Sequence, residues 1–148
     1  MKQAADFVSP VDAAAFNLLI AADYVQTKID RGCAEFGITR GQYNVLRILR
    51  GAGAEGLPRC EIAERMLERA PDVTRIIDRL EKQGLVLRER SSEDKRQSIT
   101  RISEKGLELL VQIQPKIDET RNFLAERLSL QDWADLSSLC EKIYDEKK

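Results

Sequence analysis

Val73-Thr74-Arg75-Ile76-Ile77-Asp78-Arg79-Leu80-Glu81-Lys82-Gln83-Gly84-Leu85-Val86-Leu87-Arg88-Glu89-Arg90 changes its hydrophobic period part-way, and that change decides the fold. Up to Lys82, the apolar residues Val73, Ile76, Ile77 and Leu80 recur at the spacing of one helical face. At about 100° per residue the opposite face is centred on Pro71, Arg75, Asp78 and Lys82, with Thr74 and Arg79 at its flanks. From Leu85 to Arg90 the period becomes that of a strand. Ser91-Ser92-Glu93-Asp94-Lys95-Arg96 is polar and turn-forming, and Gln97-Ser98-Ile99-Thr100-Arg101-Ile102 reads as the return strand. The segment is therefore a helix followed by a two-stranded hairpin with a charged tip. A hairpin of this size is marginal alone, so it must lean on the helix before it.

Upstream, a short helix spans about Pro58 to Leu67, with Ile62, Ala63, Met66 and Leu67 inward and Pro58 suited to the first helical position. A loop at Gly51–Gly56 precedes it. Before the loop, Thr39-Arg40-Gly41-Gln42 has capping-box form and opens a helix carrying Tyr43, Val45, Leu46, Ile48 and Leu49. The first helix starts at Ser9-Pro10-Val11-Asp12 and runs to about Phe36, before Gly37. Its first half is apolar on more than one face, which one core cannot cover.

Downstream, Ser103 restarts a helix through Leu107, Leu110, Ile113 and Leu124 towards Leu128, with Pro115 inside it. A last helix, about Ser129 to Glu146, carries Trp133, Leu136, Leu139, Cys140, Ile143 and Tyr144 on one stripe.

The 148 residues suggest one domain, and a chain of this length buries roughly two thirds of its unfolded surface without disulfide or metal. The sequence contains no His, which removes Ser-His-Asp catalysis, Cys-His nucleophiles and every His-containing zinc site. No nucleophile–base pair or Gly-rich phosphate loop stands out, so an enzyme is not expected, and neither a cofactor nor a metal is implied. The start, Met1-Lys2-Gln3-Ala4-Ala5-Asp6, is not that of a secretory leader, and no apolar run reaches membrane-spanning length. Cys33, Cys60 and Cys140 are odd in number and far apart, and read as reduced thiols of a cytoplasmic protein. The net charge of -1 conceals a gradient: residues 75–106 hold nine basic and six acidic side chains, while both flanks are net acidic. A basic middle suits contact with a polyanion, and equally an unevenly charged solvated surface.

Helix, short helix, helix, hairpin is the element order of a winged helix-turn-helix. One helix fits the B-DNA major groove, about 12 Å wide, and a hairpin tip reaches the backbone or the neighbouring minor groove. From Ile62 to Gly106 the sequence resembles the DNA-binding core of the MarR family of bacterial regulators. Val73 to Val86 is similar to that family's recognition helix and its exit into the wing. Asp94-Lys95-Arg96, then Ile99, Ile102-Ser103 and Gly106, resembles its wing signature of Asp-any-Arg followed by Leu-Thr-any-any-Gly. Two departures stand out. Ser98 is smaller and more polar than is usual in that strand, and Arg69-Ala70-Pro71-Asp72 stands where the family has a Ser or Thr cap.

The resemblance implies a mainly α fold with a small two-stranded β wing, a winged helix-turn-helix with long N- and C-terminal dimerisation helices. Residues 38–106 would form the DNA-binding lobe, and residues 9–36 and 107–146 the dimerisation region, of a single domain spanning 1–148. Arg75 would contact a base, since Arg pairs with guanine O6 and N7, and Thr74 would meet phosphate or a thymine methyl. Arg96 would enter the minor groove, its guanidinium held by Asp94 through a charge-assisted bond. Lys95, Arg88 and Arg90 would add phosphate contacts. Arg79 flanks the same face and, like Lys82, suits a solvated surface as well as DNA. Arg88 and Arg90 could instead pair with Glu89 or Glu93. Asp78 could pair with Arg75 three residues away, or accept from a cytosine amine.

The terminal helices carry more apolar surface than this lobe can bury. Phe16, Leu19, Ile20, Leu124, Leu128, Trp133, Leu136 and Ile143 are the surplus, and a two-fold homodimer buries them most simply. The family likeness further implies a repressor released from double-stranded DNA by a small-molecule effector or by thiol oxidation. Free cysteines are usually buried and inert, which is the expectation for all three here, although Cys60 lies beside Arg59 in the first turn of a helix. Tyr24, Phe36 and Tyr43 suit core packing as well as a pocket. The competing function is a winged-helix interaction module whose basic wing meets an acidic protein partner.

Overall fold

The computed structural model describes residues 9–67, 72–94 and 96–145. Six helices and three short strands follow in the order α1 (Pro10–Ala34), α2 (Arg40–Ala52), β1 (Leu57–Pro58), α3 (Arg59–Arg65), α4 (Val73–Lys82), β2 (Val86–Arg90), β3 (Ser98–Ile102), α5 (Glu104–Ala125) and α6 (Leu130–Tyr144), with a 3-10 turn at Gly53–Glu55 before β1. The architecture is the mainly α winged helix expected. The chain divides into two compact units, one through Gln114 and the other from Pro115. No helix among the described residues is long and apolar enough to cross a membrane.

The helix starts follow local chemistry. Ser9 caps α1 by accepting from the Asp12 N–H, with Pro10 in the first turn. Thr39 and Gln42 complete both bonds of the capping box on α2, at 3.2 and 2.9 Å. Helix α1 ends two residues before the expected Phe36, at Ala34.

The first unit is built round α2. Val45, Leu46 and Leu49 are fully buried, and Ile62 of α3, Ile77 and Leu80 of α4, Val86 of β2, and Leu110 and Ile113 of α5 complete the core. Of the four inward residues expected on the short helix, Ile62 is buried and Ala63 and Met66 are half-buried, but Leu67 is 85% exposed. Helix α3 stops at Arg65, so Leu67 does not share its apolar face.

The wing also differs from the expected two-stranded hairpin. The sheet has three strands in the order β1-β3-β2, all antiparallel, with Leu57 opposite Thr100 and Pro58 opposite Ile99. Pro58 is extended (φ −69°, ψ 155°) and precedes α3 rather than opening it. Gly56 makes this pairing possible. Its φ is +67°, and a Cβ there would lie 2.5 Å from the Thr100 carbonyl oxygen.

In α1, only Gly32 and Cys33 are buried, and Phe16, Leu19 and Ile20 are exposed. In the second unit α6 buries no residue; Leu128, Leu136 and Ile143 are exposed and Trp133 is half-buried. Ser129 and Asp132 close a capping box at its start, and these bonds hold the Asp132 carboxyl below its ordinary pKa.

Candidate nucleic-acid interface

Helix α4 is oriented by what it buries. Val73, Ile77 and Leu80 face the core, so Thr74, Arg75, Arg79 and Lys82 are exposed. Asp72 caps α4 in place of the family's Ser or Thr: its carboxylate accepts from the Arg75 N–H at 3.1 Å. Pro71, placed by its spacing on the polar face of this helix, lies outside the described residues. The far end of α4 is tied down by side-chain bonds between elements that linear spacing does not reveal. Gln42 Nε2 donates to Gln83 Oε1 (2.9 Å), and Gln83 Nε2 donates to the Gly37 carbonyl (3.2 Å). From the α5 side, Lys105 Nζ donates to the Gln83 carbonyl (2.8 Å) and Ser103 Oγ to the Gly84 carbonyl (2.7 Å). Gln83 and Lys105 carry no mark in the sequence, because polar groups at helix ends ordinarily read as solvated, while the spacing of Gln42 and Ser103 marks only their local roles.

Ser103 also caps α5 by accepting from the Gly106 N–H at 3.0 Å. Gly106 is buried against the Leu85 carbonyl oxygen, where a Cβ would lie only 2.3 Å away. The Ser-any-any-Gly spacing thus has a mechanical role: the wing and the start of α5 meet backbone to backbone.

The wing tip is ordered by its own side chains. Ser91 N–H donates to the Gln97 carbonyl (2.9 Å), and the N–H groups of Glu93 and Asp94 donate to Ser91 Oγ at 3.2 and 3.3 Å. Asp94 does not hold the Arg96 guanidinium as expected. Its Oδ1 accepts from the Arg96 backbone N–H at 2.9 Å, because a carboxylate two residues back closes a local turn more readily than it reaches a long side chain. Arg96 is left exposed, as is Arg90. Lys95 lies outside the described residues.

Arg88 has other partners than those expected. Its Nη2 lies 2.5 Å from Asp78 Oδ1 and 3.0 Å from Glu81 Oε2, both on α4. Glu89 is engaged across the sheet by Arg101, and Asp78 by Arg88 rather than Arg75. Cross-strand and helix–strand geometry, invisible in linear spacing, made these choices.

A cleft of about 410 Å³ opens between α3, α4 and the wing, and Thr74, Ile77, Arg88, Arg96 and Cys60 are among its lining residues. Cys60 is exposed there and Cys140 is half-buried, so the expectation of buried thiols holds only for Cys33. Burial, aided by the nearby Asp30 charge and opposed by Arg40, pushes the Cys33 thiol up to about 11. Tyr43 belongs to the core, while Tyr24 is exposed.

Residues 38–98 match the MarR family. The chain is 34% identical over 85 residues to the HTH-type transcriptional regulator YkoM of Bacillus subtilis (strain 168), a stretch covering 57% of this chain but only 54% of that relative. A crystal structure of a MarR transcription factor from Planctomyces limnophilus is 32% identical, with a TM-score of 0.72 over 92% of this chain and 98% of the other. This chain belongs to the MarR family. The fold likeness extends to S. aureus MepR, solved as a DNA complex, with a TM-score of 0.78 at 22% identity over 87% of this chain and 94% of that one. Within this MarR-family chain, the matched residues 38–98 contain α2, α3, α4 and the wing tip, and thus most of the residues that line the cleft.

Proposed function

We propose that this MarR-family regulator binds double-stranded DNA as a two-fold homodimer and represses transcription from a pseudo-palindromic operator. The observation that carries the reading is that Thr74 of α4 and Arg96 of the wing line one cleft. A helix and a hairpin tip so placed can enter adjoining grooves of one duplex. Arg75 reads a base, Thr74, Arg79, Arg90 and Lys95 meet the backbone, and Arg96 enters the minor groove from a tip whose backbone Asp94 holds. The fold is shared with S. aureus MepR, which was solved bound to DNA.

The exposed apolar residues of α1 and α6 support the second half of the proposal. Leu19 is 69% and Ile143 70% exposed, more than a lone chain gains by leaving in water. Residues 38–106 then serve as the DNA-binding lobe and 9–36 with 107–146 as the dimerisation region, with half-sites roughly 10 bp apart. The protein acts in the cytoplasm and is released from DNA by a small ligand or by oxidation of a thiol, for which Cys60 is the exposed candidate.

Two measurements test the proposal. Sedimentation should give a dimer, and Ile143→Asp should shift it to monomer. Fragments retained from genomic DNA should bind with an affinity that falls steeply with salt, because each neutralised phosphate releases a counterion. A protein that ignores duplex DNA at low salt but captures an acidic protein would instead be an interaction module.

A further inference from the structure

Arg88 was expected at the DNA backbone, yet its charge is spent inside the protein. Strand β2 places it opposite Thr100, two residues from the buried Val86 and hence on the same sheet face. One of its nitrogens, Nη2, lies within 3.0 Å of carboxylate oxygens on both Asp78 and Glu81. Its Nε is buried without a partner among the described residues. The Arg88 side chain is 29% exposed, against 47% and 45% for its two carboxylate partners, so the cation is the most deeply set member of the cluster.

Asp78 and Glu81 are three residues apart on α4, and like charges at that spacing repel. Both lie on the helix that carries Thr74, Arg75 and Arg79, where bare carboxylates would also repel phosphates. We infer that Arg88 is a positioning residue for DNA recognition: it staples the wing to α4 across the Gln83–Gly84 corner and neutralises the two carboxylates, without touching DNA. The inference rests on the DNA-binding reading above and assigns that interface a part it lacked. Its physical basis is that two short elements entering adjoining grooves must keep a fixed angle, which a hairpin cannot hold alone. A planar guanidinium bridging two carboxylates does so with little loss of side-chain freedom.

The sign of one double substitution separates this from a phosphate contact. Asp78→Asn with Glu81→Gln removes two negative charges and frees Arg88. If Arg88 meets phosphate, binding to a duplex retained from genomic fragments must tighten. If Arg88 is the staple, binding weakens, roughly five- to tenfold for a partly exposed cluster. Arg88→Gln should weaken binding by a similar factor while leaving the slope of log affinity against log salt unchanged. A phosphate ligand would instead lower that slope by about one. Amide hydrogen exchange in β2 and β3 of the free full-length variants should speed up while helix content and dimer mass stay as in the wild type. Should the double variant be poorly folded, Glu81→Gln alone keeps the 2.5 Å bond to Asp78 and should give a smaller loss in the same direction. Tighter binding by the double variant, or a lowered salt slope for Arg88→Gln, overturns the inference. If wild-type protein binds no duplex DNA, the functional reading fails by itself, and unchanged wing exchange in the double variant then overturns the staple independently.

Discussion

Replacing Gly106 with alanine sets helix propensity against packing, and the structure says which wins. In an open helix the change should stabilise by about 1 kcal/mol, since alanine loses less backbone freedom on folding. Gly106 is not in the open. A Cβ there would lie 2.3 Å from the Leu85 carbonyl oxygen and 2.7 Å from Ile102 Cγ1, where ordinary contact begins at 3.4 Å. The first obstacle is backbone and cannot rotate away. The same carbonyl accepts the Ser103 N–H at 3.1 Å, so moving it also loosens the junction between wing and α5. With a backbone atom only 2.3 Å away the overpacking cost falls in the upper part of the usual range, about 2–3 kcal/mol, and with about 1 kcal/mol of propensity set against it we expect a net loss of about 1–2 kcal/mol. Urea denaturation at fixed protein concentration measures it, since assembly would make stability depend on concentration. Gly51→Ala is the control. It lies in α2 with nothing within 4 Å of its Cβ position, and should stabilise by roughly 0.5–1 kcal/mol. A Gly106→Ala protein as stable as wild type would refute the close-approach argument.

Arg96→Ala should weaken operator binding by at least about 1 kcal/mol while leaving denaturation unchanged, and unaltered affinity would remove the wing from recognition. Asp72→Ala should cost about 0.5–2 kcal/mol of stability through loss of the α4 cap, visible as a lower urea midpoint. A thiol reagent at neutral pH should label Cys60 quickly and spare Cys33 in the folded protein; fast labelling of Cys33 would contradict its burial. Because folding raises the Cys33 pKa from 9.0 to about 11, the protonated thiol favours the fold below pH 9.0, and that contribution should drain away as pH rises towards 11. Cys33→Ser should flatten that part of the stability curve.

The parts of the fold and of the interface that are legible in the sequence are those written in short stretches of chain. The α4 stripe, the Thr39–Gln42 box, the Ser9 cap and the Ser91–Gln97 turn each depend on groups within seven residues of one another. Asp72 is as local as these, and its carboxylate caps α4 where the family has a hydroxyl. Arg96 is exposed, and the carboxylate of Asp94 expected to clasp its guanidinium accepts instead from its backbone N–H.

Local periodicity, capping chemistry and the change of period after Lys82 were enough to determine the helix order, the wing and the face that α4 turns to solvent, because each reflects burial or bonding along a single element. Partners across the fold were decided only in three dimensions. The pairing of Leu57 with Thr100, the anchoring of Gln83 by Gln42 and Lys105, the capture of Arg88 by Asp78 and Glu81, and the closeness of Gly106 to Leu85 all join residues from different elements. A linear pattern reports which side of an element is apolar. Which atom waits on the other side follows from packing, and there the charge of Arg88 found carboxylates of its own chain.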